Sequence, residues 1–122
     1  MRRKRRHHGP LAWQKAIGLV ERAYTVTSAF PSHENFGLIA QCRRASVSVA
    51  SNIAEGAARN SQKEFLQFLG IARGSLSELE TQFIISTKLG YIHNDAEIFD
   101  AIDELFGLLG GLVKSIRNRE SS

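Results

Sequence analysis

The feature that most constrains this chain is a hydrophobic repeat of helical period, which recurs in four separate stretches. In the fourth stretch, isoleucine and leucine alternate at spacings of four and three residues from Ile98 to Ile116. Such spacing places apolar side chains on one side of a helix. The chain has no sustained alternation of period two and no Asn-Gly or Asp-Gly turn, which are the usual signals of strands and hairpins. The sequence therefore predicts an all-α protein.

Residues that start and stop helices divide this pattern. The predicted helices span about 11–28, 33–56, 61–89 and 95–117. Ser32 can cap the second helix and Gly56 can end it. Ser61 opens a capping box, in which a glutamate follows three residues on, and Gly90 ends that third helix. Asn94 can start the fourth helix.

Four helices with heptad-like stripes and short loops predict an up-down-up-down antiparallel four-helix bundle over residues 11–122. The first helix carries a wide apolar face, in which one stripe lies beside another: Trp13, Ile17, Val20, Tyr24 and Thr27 beside Ala16, Leu19, Ala23 and Val26. The fourth helix is also apolar on more than one side. Either the core is thick, or a second face contacts another subunit. On the third helix, Gly70 and Gly74 suggest a close helix contact, since each interior glycine costs about 1 kcal/mol relative to alanine.

The positive charge of the chain is concentrated at its start. The net charge is +4, but the first six residues hold five cations and leave −1 for the rest: Arg2, Arg3, Lys4, Arg5 and Arg6. We expect residues 1–10 to be a disordered basic tail, because dense like charge without apolar residues cannot form a core. Three interpretations remain for this tail: a solvated arm without a role, a contact with RNA or DNA, or a start codon assigned too early.

Signals of catalysis, cofactors and metals are weak. Cys42 falls on an apolar stripe and is expected to be an inert core thiol. His33 and His93 have no further ligands at metal-binding spacing, so no metal site and no cofactor are predicted. The longest apolar runs are too short for a membrane span, and the basic start is not followed by a signal-peptide core. We expect a non-enzymatic, cytoplasmic protein without a membrane partner.

The second and third helices carry a long motif that resembles a known family. The matching residues of the second helix are Gln41-Cys42-Arg43-Arg44-Ala45, Ser48, Asn52-Ile53-Ala54-Glu55-Gly56 and Arg59. The third helix continues the match with Phe68-Leu69, Ala72, Gly74-Ser75, Glu78-Leu79-Glu80-Thr81 and Leu89-Gly90-Tyr91. The motif is similar to that of the 23S rRNA-intervening sequence proteins, a bacterial family often encoded within 23S ribosomal RNA genes.

The resemblance, which covers about residues 11–116, implies a left-handed four-helix bundle without an established enzyme activity. Some relatives, including accessory proteins of diversity-generating retroelements, form homopentameric rings that bind nucleic acid and a reverse transcriptase. The expected function is therefore a homopentameric ring that acts as a nucleic-acid-associated (RNA or DNA) or adaptor protein, with a reverse transcriptase as a possible protein partner. The alternative is a protein-interaction scaffold without affinity for nucleic acid.

Two sets of polar residues are candidates for these roles. The first set would join helices two and three in a structural polar network, for example through a buried pair of Arg44 with Glu78 or Glu80. Its members are Arg44, Ser48, Asn52, Glu55, Glu78 and Glu80. The second set would form a phosphate-binding surface once several subunits assemble, together with the tail. Its members are Arg43, Arg44, Arg59, Lys63 and Arg73.

Overall fold

The computed structural model describes residues 10–93 and 96–120. Four α-helices account for most of these residues: α1 (Leu11–Thr27), α2 (Leu38–Ala57), α3 (Gln62–Lys88) and α4 (Ala96–Glu120). A short 3-10 turn, Ser32–Glu34, lies between α1 and α2. No strand occurs in the described ranges, so the predicted all-α, four-helix fold is confirmed. The predicted tail and Asn94 lie outside the described residues.

Contacts between helices give their relative directions. Lys15 on α1 pairs with Glu104 on α4 at 3.2 Å. Further along α1, Arg22 pairs with Glu97, which comes earlier in α4. These two helices therefore run in opposite directions. Each helix also contacts the helix that follows it in the chain, which fits the predicted up-down-up-down order. The left-handed sense of the bundle stays a prediction.

The core takes one of the two predicted stripes of α1. The buried residues of α1 are Ala12, Ala16, Leu19, Ala23 and Thr27, and most of them belong to the second, alanine-rich stripe. Ile17 and Tyr24 of the first stripe are 39% and 42% exposed. Alanine contributes little to a hydrophobic pattern, but its small side chain lets neighbouring helices approach closely. Trp13, Ile17, Val20 and Tyr24 consequently form a half-exposed strip along α1, which we call the α1 strip.

The predicted ends of α3 are confirmed. Ser61 Oγ accepts the backbone N–H of Glu64 at 3.1 Å, as in a capping box. At the other end, Gly90 has a φ of 83°, a conformation that glycine adopts without a steric penalty. Its amide donates to the carbonyl of Thr87, and the amide of Tyr91 donates to that of Ser86. This pair of bonds is the Schellman motif.

The predicted ends of α2 are wrong. The helix begins at Leu38, not after Ser32, because the side chain of Glu34 accepts the Leu38 amide at 3.1 Å. It ends at Ala57, and Gly56 is a buried residue inside the helix. A Cβ atom on Gly56 would lie 2.7 Å from Cβ of Phe68 on α3. This glycine is therefore required by close helix packing and not by a turn.

The glycines of α3 behave in the opposite way. Gly70 and Gly74 are exposed, and a Cβ atom on either would meet nothing within 4 Å. The predicted close contact at these positions is therefore not made within one chain. The close approach between helices occurs at Gly56 instead.

Candidate nucleic-acid interface and assembly surfaces

The cations predicted to bind phosphate do not form one patch on the single chain. Arg43 and Arg44 lie in the first two turns of α2, whereas Arg59 and Lys63 flank the α2–α3 loop at the opposite end of the bundle. Arg73 lies midway along α3. Any joint action of these residues would require several subunits.

Arg43 is engaged with the end of α1. Its guanidinium carbon lies 4.5 Å from the centre of the Tyr24 ring, and its Nε donates to Thr27 Oγ1 at 3.0 Å. Its Nη2 lies 3.5 Å from both the carbonyl of Tyr24 and Oγ of Ser28. A cation at a helix C-terminus is favourable, and so is one over an aromatic ring. Arg43 thus holds α1 against α2 and is a poor candidate for phosphate binding.

Arg44 is exposed and forms no hydrogen bond or ion pair within the described part of the chain. The predicted buried pair with Glu78 or Glu80 is therefore not formed. Glu78 instead accepts a hydrogen bond from Nε2 of Gln82, one turn further along α3, at 3.3 Å. Arg44 is free to meet a group outside its own chain.

A smaller polar network does join α2 and α3. Oγ of Ser48 lies 2.8 Å from Oγ of Ser75, and Asn52 Nδ2 donates to the Ser48 carbonyl at 2.8 Å. The structure therefore brings together Ser48 and Asn52 of the predicted network and adds Ser75. Glu55 lies outside this network and pairs with Arg59, one turn on, at 3.0 Å.

One end of the bundle gathers cations from two parts of the described chain. A cavity of about 200 Å³ at this end is lined by Pro10, Ala57, Gln62, Phe65, Leu112 and Arg119. It shows that the start of α1, the α2–α3 loop and the end of α4 lie together. The cations at these positions are Arg59, Lys63, Lys114, Arg117 and Arg119. We call this region the basic end; residues 1–9, with the tail cations, join the bundle there at Pro10.

Three of these cations were not among the predicted site residues. Lys114, Arg117 and Arg119 lie in the last two turns of α4, where cations favour the helix dipole. Nothing local distinguishes such residues from ordinary helix ends. Only the up-down order of the helices places them beside Lys63 and the start of α1.

The opposite end, which we call the loop end, is joined by a polar brace that the sequence did not reveal. Glu34, in the α1–α2 connection, accepts both the Leu38 amide and the hydroxyl of Tyr91, each at 3.1 Å. Tyr91 lies after α3, packs its ring 5.4 Å from that of Phe30 and lies 3.2 Å from Nε2 of His33. Burial and the Glu34 carboxylate raise the pKa of Tyr91. The brace thus fixes the two loops to each other.

A groove runs between α1 and α4. Its volume is about 690 Å³, its floor includes Gly18, Leu19 and Ala101, and two ion pairs span it. Toward the loop end it continues into a second cavity of about 210 Å³, which shares Arg22 and Glu97 with the groove. The remaining lining residues of this cavity are Glu21, Thr25, Val26 and Ile98. We call it the α1–α4 cavity.

The described residues hold no group suited to metal or thiol chemistry. No cluster of three or more histidine, cysteine, aspartate or glutamate side chains that could bind a metal ion occurs among them. Cys42 is fully buried, and burial, followed by the charge of Glu34, raises the pKa of its thiol to about 12. A thiol in this state is a poor nucleophile. Over the same residues, no helix has both the length and the apolar character that crossing a membrane requires.

Known proteins resemble this chain in sequence and in fold. A crystal structure from Bacteroides thetaiotaomicron, of a protein with unknown function from the S23 ribosomal protein family, is similar with a TM-score of 0.78 and 21% sequence identity. The match covers 85% of this chain and 96% of that one, and at this identity it supports the fold alone. Comparison with curated proteins gives no match. The sequence model of the 23S rRNA-intervening sequence proteins matches residues 11–111, which is most of the chain. The chain therefore belongs to the 23S rRNA-intervening sequence protein family.

Proposed function

We propose that this protein is a non-catalytic, homo-oligomeric ring that binds RNA or DNA through its basic end. One observation carries the proposal: the tail is joined to the bundle at the basic end. The cations of the α2–α3 loop and of the last turns of α4 lie at this same end. Five copies are the number that the family resemblance implies. A reverse transcriptase, which the same resemblance implies, would be a further partner.

Charge at the basic end supports contact with phosphates. Lys63 is exposed and has no partner among the described side chains, and Lys114 is exposed beside Arg119. A ring with parallel subunits would repeat this end on one face, so that a modest patch is multiplied by the number of copies. No aromatic residue interrupts the tail arginines, so we expect little base stacking and weak sequence preference.

Exposed apolar surface supports self-association. The α1 strip carries Ile17 and Tyr24, and α2 carries Val47, each about two-fifths exposed. The outward face of α3 adds Gly70 and Gly74, which leave room for a second helix to approach. Where exposed apolar side chains form a patch, they mark an interaction site.

The first experiment measures binding of a labelled duplex DNA and a single-stranded RNA over a salt series. The full chain is compared with a variant that lacks residues 1–9. Each lost phosphate contact lowers the salt slope by about 0.9 on duplex DNA, so removal of the five tail cations should lower it by up to about 4.5 per chain. Lys63→Gln combined with Lys114→Gln should lower it by up to about 1.8. Arg73→Gln, away from the basic end, is the matched control and should change little.

Two outcomes would contradict the proposal. Weak binding that does not depend on salt in any of these variants would exclude phosphate recognition at the basic end. Light scattering on a gel-filtration column tests the assembly, and a monomer at micromolar concentration would exclude the ring.

The second candidate function is a protein-interaction scaffold without affinity for nucleic acid. Exposed apolar side chains at the end of α3 and just after it favour it, since Ile84, Ile85 and Leu89 are each between 44% and 55% exposed. An intact oligomer with no measurable binding to either nucleic acid would favour this candidate.

A further inference from the structure

Phe36 is the most exposed large hydrophobic residue of the described chain. It lies two residues before α2, in the α1–α2 connection, and 99% of its surface is open to solvent. Burial of a phenylalanine side chain is favourable compared with leaving it in water. A fully exposed ring in a well-formed turn is therefore available as an anchor for a partner outside its own chain.

The turn that presents Phe36 is rigidly built. Backbone hydrogen bonds join Glu34 to Pro31 and Gly37 to Glu34, at 2.9 and 3.0 Å. The Glu34 side chain is 19% exposed and ties the same turn to α2 and to Tyr91. A Cβ atom on Gly37 would lie 2.5 Å from Oε1 of Glu34, so a larger residue there would displace the carboxylate oxygen that accepts the Leu38 amide. Because the backbone that carries the ring is already ordered, it loses little conformational entropy when the ring is bound.

The chain also has a depression at the same end of the bundle. The α1–α4 cavity has a volume of about 210 Å³, is open to solvent, and is lined by two apolar and four polar or charged residues. Val26 and Ile98 supply its apolar lining, and Thr25 stands at its edge. These residues lie in the last turns of α1 and the first turn of α4, which places the cavity at the loop end beside the α1–α2 turn.

We propose that Phe36 of one subunit inserts into the α1–α4 cavity of the next subunit and so closes the ring. This inference rests on the proposed ring and identifies its contact. Subunits related by rotation about an axis parallel to the bundle meet at equal height, and Phe36 and this cavity satisfy that condition. The cavity beside Pro10 lies at the basic end, whereas Phe36 lies at the loop end. Insertion of Phe36 into that cavity would therefore join subunits end to end and give an open stack, not a closed ring.

Charges on the two sides of this contact are complementary. Arg44, near the start of α2, is exposed and unpaired within the described residues. Glu21 lines the α1–α4 cavity and Asp100 lines the adjoining groove, and neither side chain has a partner in the described part of its own chain. A neighbouring Arg44 would therefore meet an acidic rim. Phosphate-binding cations, by contrast, gather at the other end, which disfavours stacking of a nucleobase on Phe36.

The test compares Phe36→Ala with Leu89→Ala, a matched control at the same end whose side chain is 55% exposed. Because Phe36 touches little of its own chain, its removal should leave the urea unfolding of the monomer unchanged. Loss of a buried aromatic anchor should raise the dissociation constant of the oligomer by about 30-fold or more. Leu89→Ala should leave that constant unchanged. Analytical ultracentrifugation over a concentration series measures both.

A second variant blocks the cavity instead of the ring that fills it. Thr25→Trp places a large side chain at the edge of the α1–α4 cavity and should dissociate the oligomer in the same way. In a mixture of the two variants, the intact Phe36 of one can enter the intact cavity of the other. Mixing Phe36→Ala with Thr25→Trp should therefore produce a dimer that neither forms alone, and no closed ring.

The outcomes separate this inference from the function on which it rests. A monomeric wild-type protein would overturn the ring itself. A wild-type oligomer that Phe36→Ala leaves intact would overturn only the contact. An intact Phe36→Ala oligomer with lost RNA affinity would assign Phe36 to a nucleobase, and a variant mixture that stays monomeric would exclude the α1–α4 cavity.

Discussion

The loop end and the basic end of the bundle are held together by different interactions. At the loop end, the carboxylate of Glu34 bridges the start of α2 and the hydroxyl of Tyr91. At the basic end, Gly56 lets α2 touch Phe65 and Phe68 of α3 without an intervening side chain. The end that carries half of the exposed cations of the described residues is thus stabilised by apolar packing. Its charges can be changed with little effect on folding, whereas the loop end depends on polar groups whose loss should unfold it.

The largest expected effect breaks the polar brace. Glu34→Ala removes two hydrogen bonds to a carboxylate and should lower the free energy of unfolding by about 3 kcal/mol. The control is Lys63→Ala at the basic end, which should change the free energy of unfolding by less than about 0.5 kcal/mol. Urea denaturation of the two variants measures both changes. Equal effects at the two positions would show that the ends do not differ.

The next effect tests the packing of the basic end. Gly56→Ala should lower the free energy of unfolding by about 2 kcal/mol, because the added methyl group overpacks the contact with Phe68. Gly74→Ala is the matched control: its Cβ meets open space, so it should raise stability by about 1 kcal/mol through helix propensity. Thermal unfolding of the two variants should therefore shift in opposite directions. A stabilised Gly56→Ala would refute the close packing.

The third effect concerns alkaline pH near the loop end. The folded protein holds the pKa of Cys42 at about 12, above the ordinary thiol value of about 8.5. Between these values the unfolded chain releases a proton that the folded chain keeps, so stability should fall by about 1.4 kcal/mol per pH unit as pH rises. Cys42→Ala should remove that part of the slope. Denaturation at a series of pH values checks it, and identical slopes in both proteins would contradict the prediction.

The smallest effect concerns an unpaired group in the last third of α3. Gln82 is buried, and its Oε1 has no hydrogen-bond partner among the described residues. Gln82→Met keeps the volume, removes the unpaired acceptor and should raise the free energy of unfolding by up to about 1 kcal/mol. Glu78→Ala, which removes only the weak contact to Nε2 of Gln82, should change it by less than about 0.5 kcal/mol. A destabilised Gln82→Met would mean that Oε1 has a partner in solution.

Sequence periodicity predicted the four helices because each buries a continuous apolar stripe. It failed at the start of α2, since the cap of that helix depends on Glu34 and on Tyr91, which is 57 residues away. It also did not decide between the two stripes of α1, because both are apolar. The alanine-rich stripe packs in the core, whereas Ile17 and Tyr24 of the other stripe are partly exposed. Local sequence signals are reliable only where both partners of an interaction lie within a few residues of each other, as at Ser61 and Gly90.

The candidate sites were less predictable for the same reason. The cations of α4 lie near Lys63 only because of the order of the helices. The polar contact between α2 and α3 is made by Ser48 and Ser75, and not by the predicted pair of Arg44 with a glutamate. Arg43, which the pattern presented as a phosphate ligand, is occupied by the end of α1. A motif identifies which residues matter but not which atoms they touch.

The position of Trp13 gives the protein a built-in optical reporter. It is the single tryptophan of the chain, and it lies half-buried in the first turn of α1, on the α1 strip and next to the basic end. Its indole emission would therefore shift if a neighbouring subunit covered the strip, and it would change if a ligand bound at the basic end. One fluorophore thus tests both proposed events in unlabelled protein.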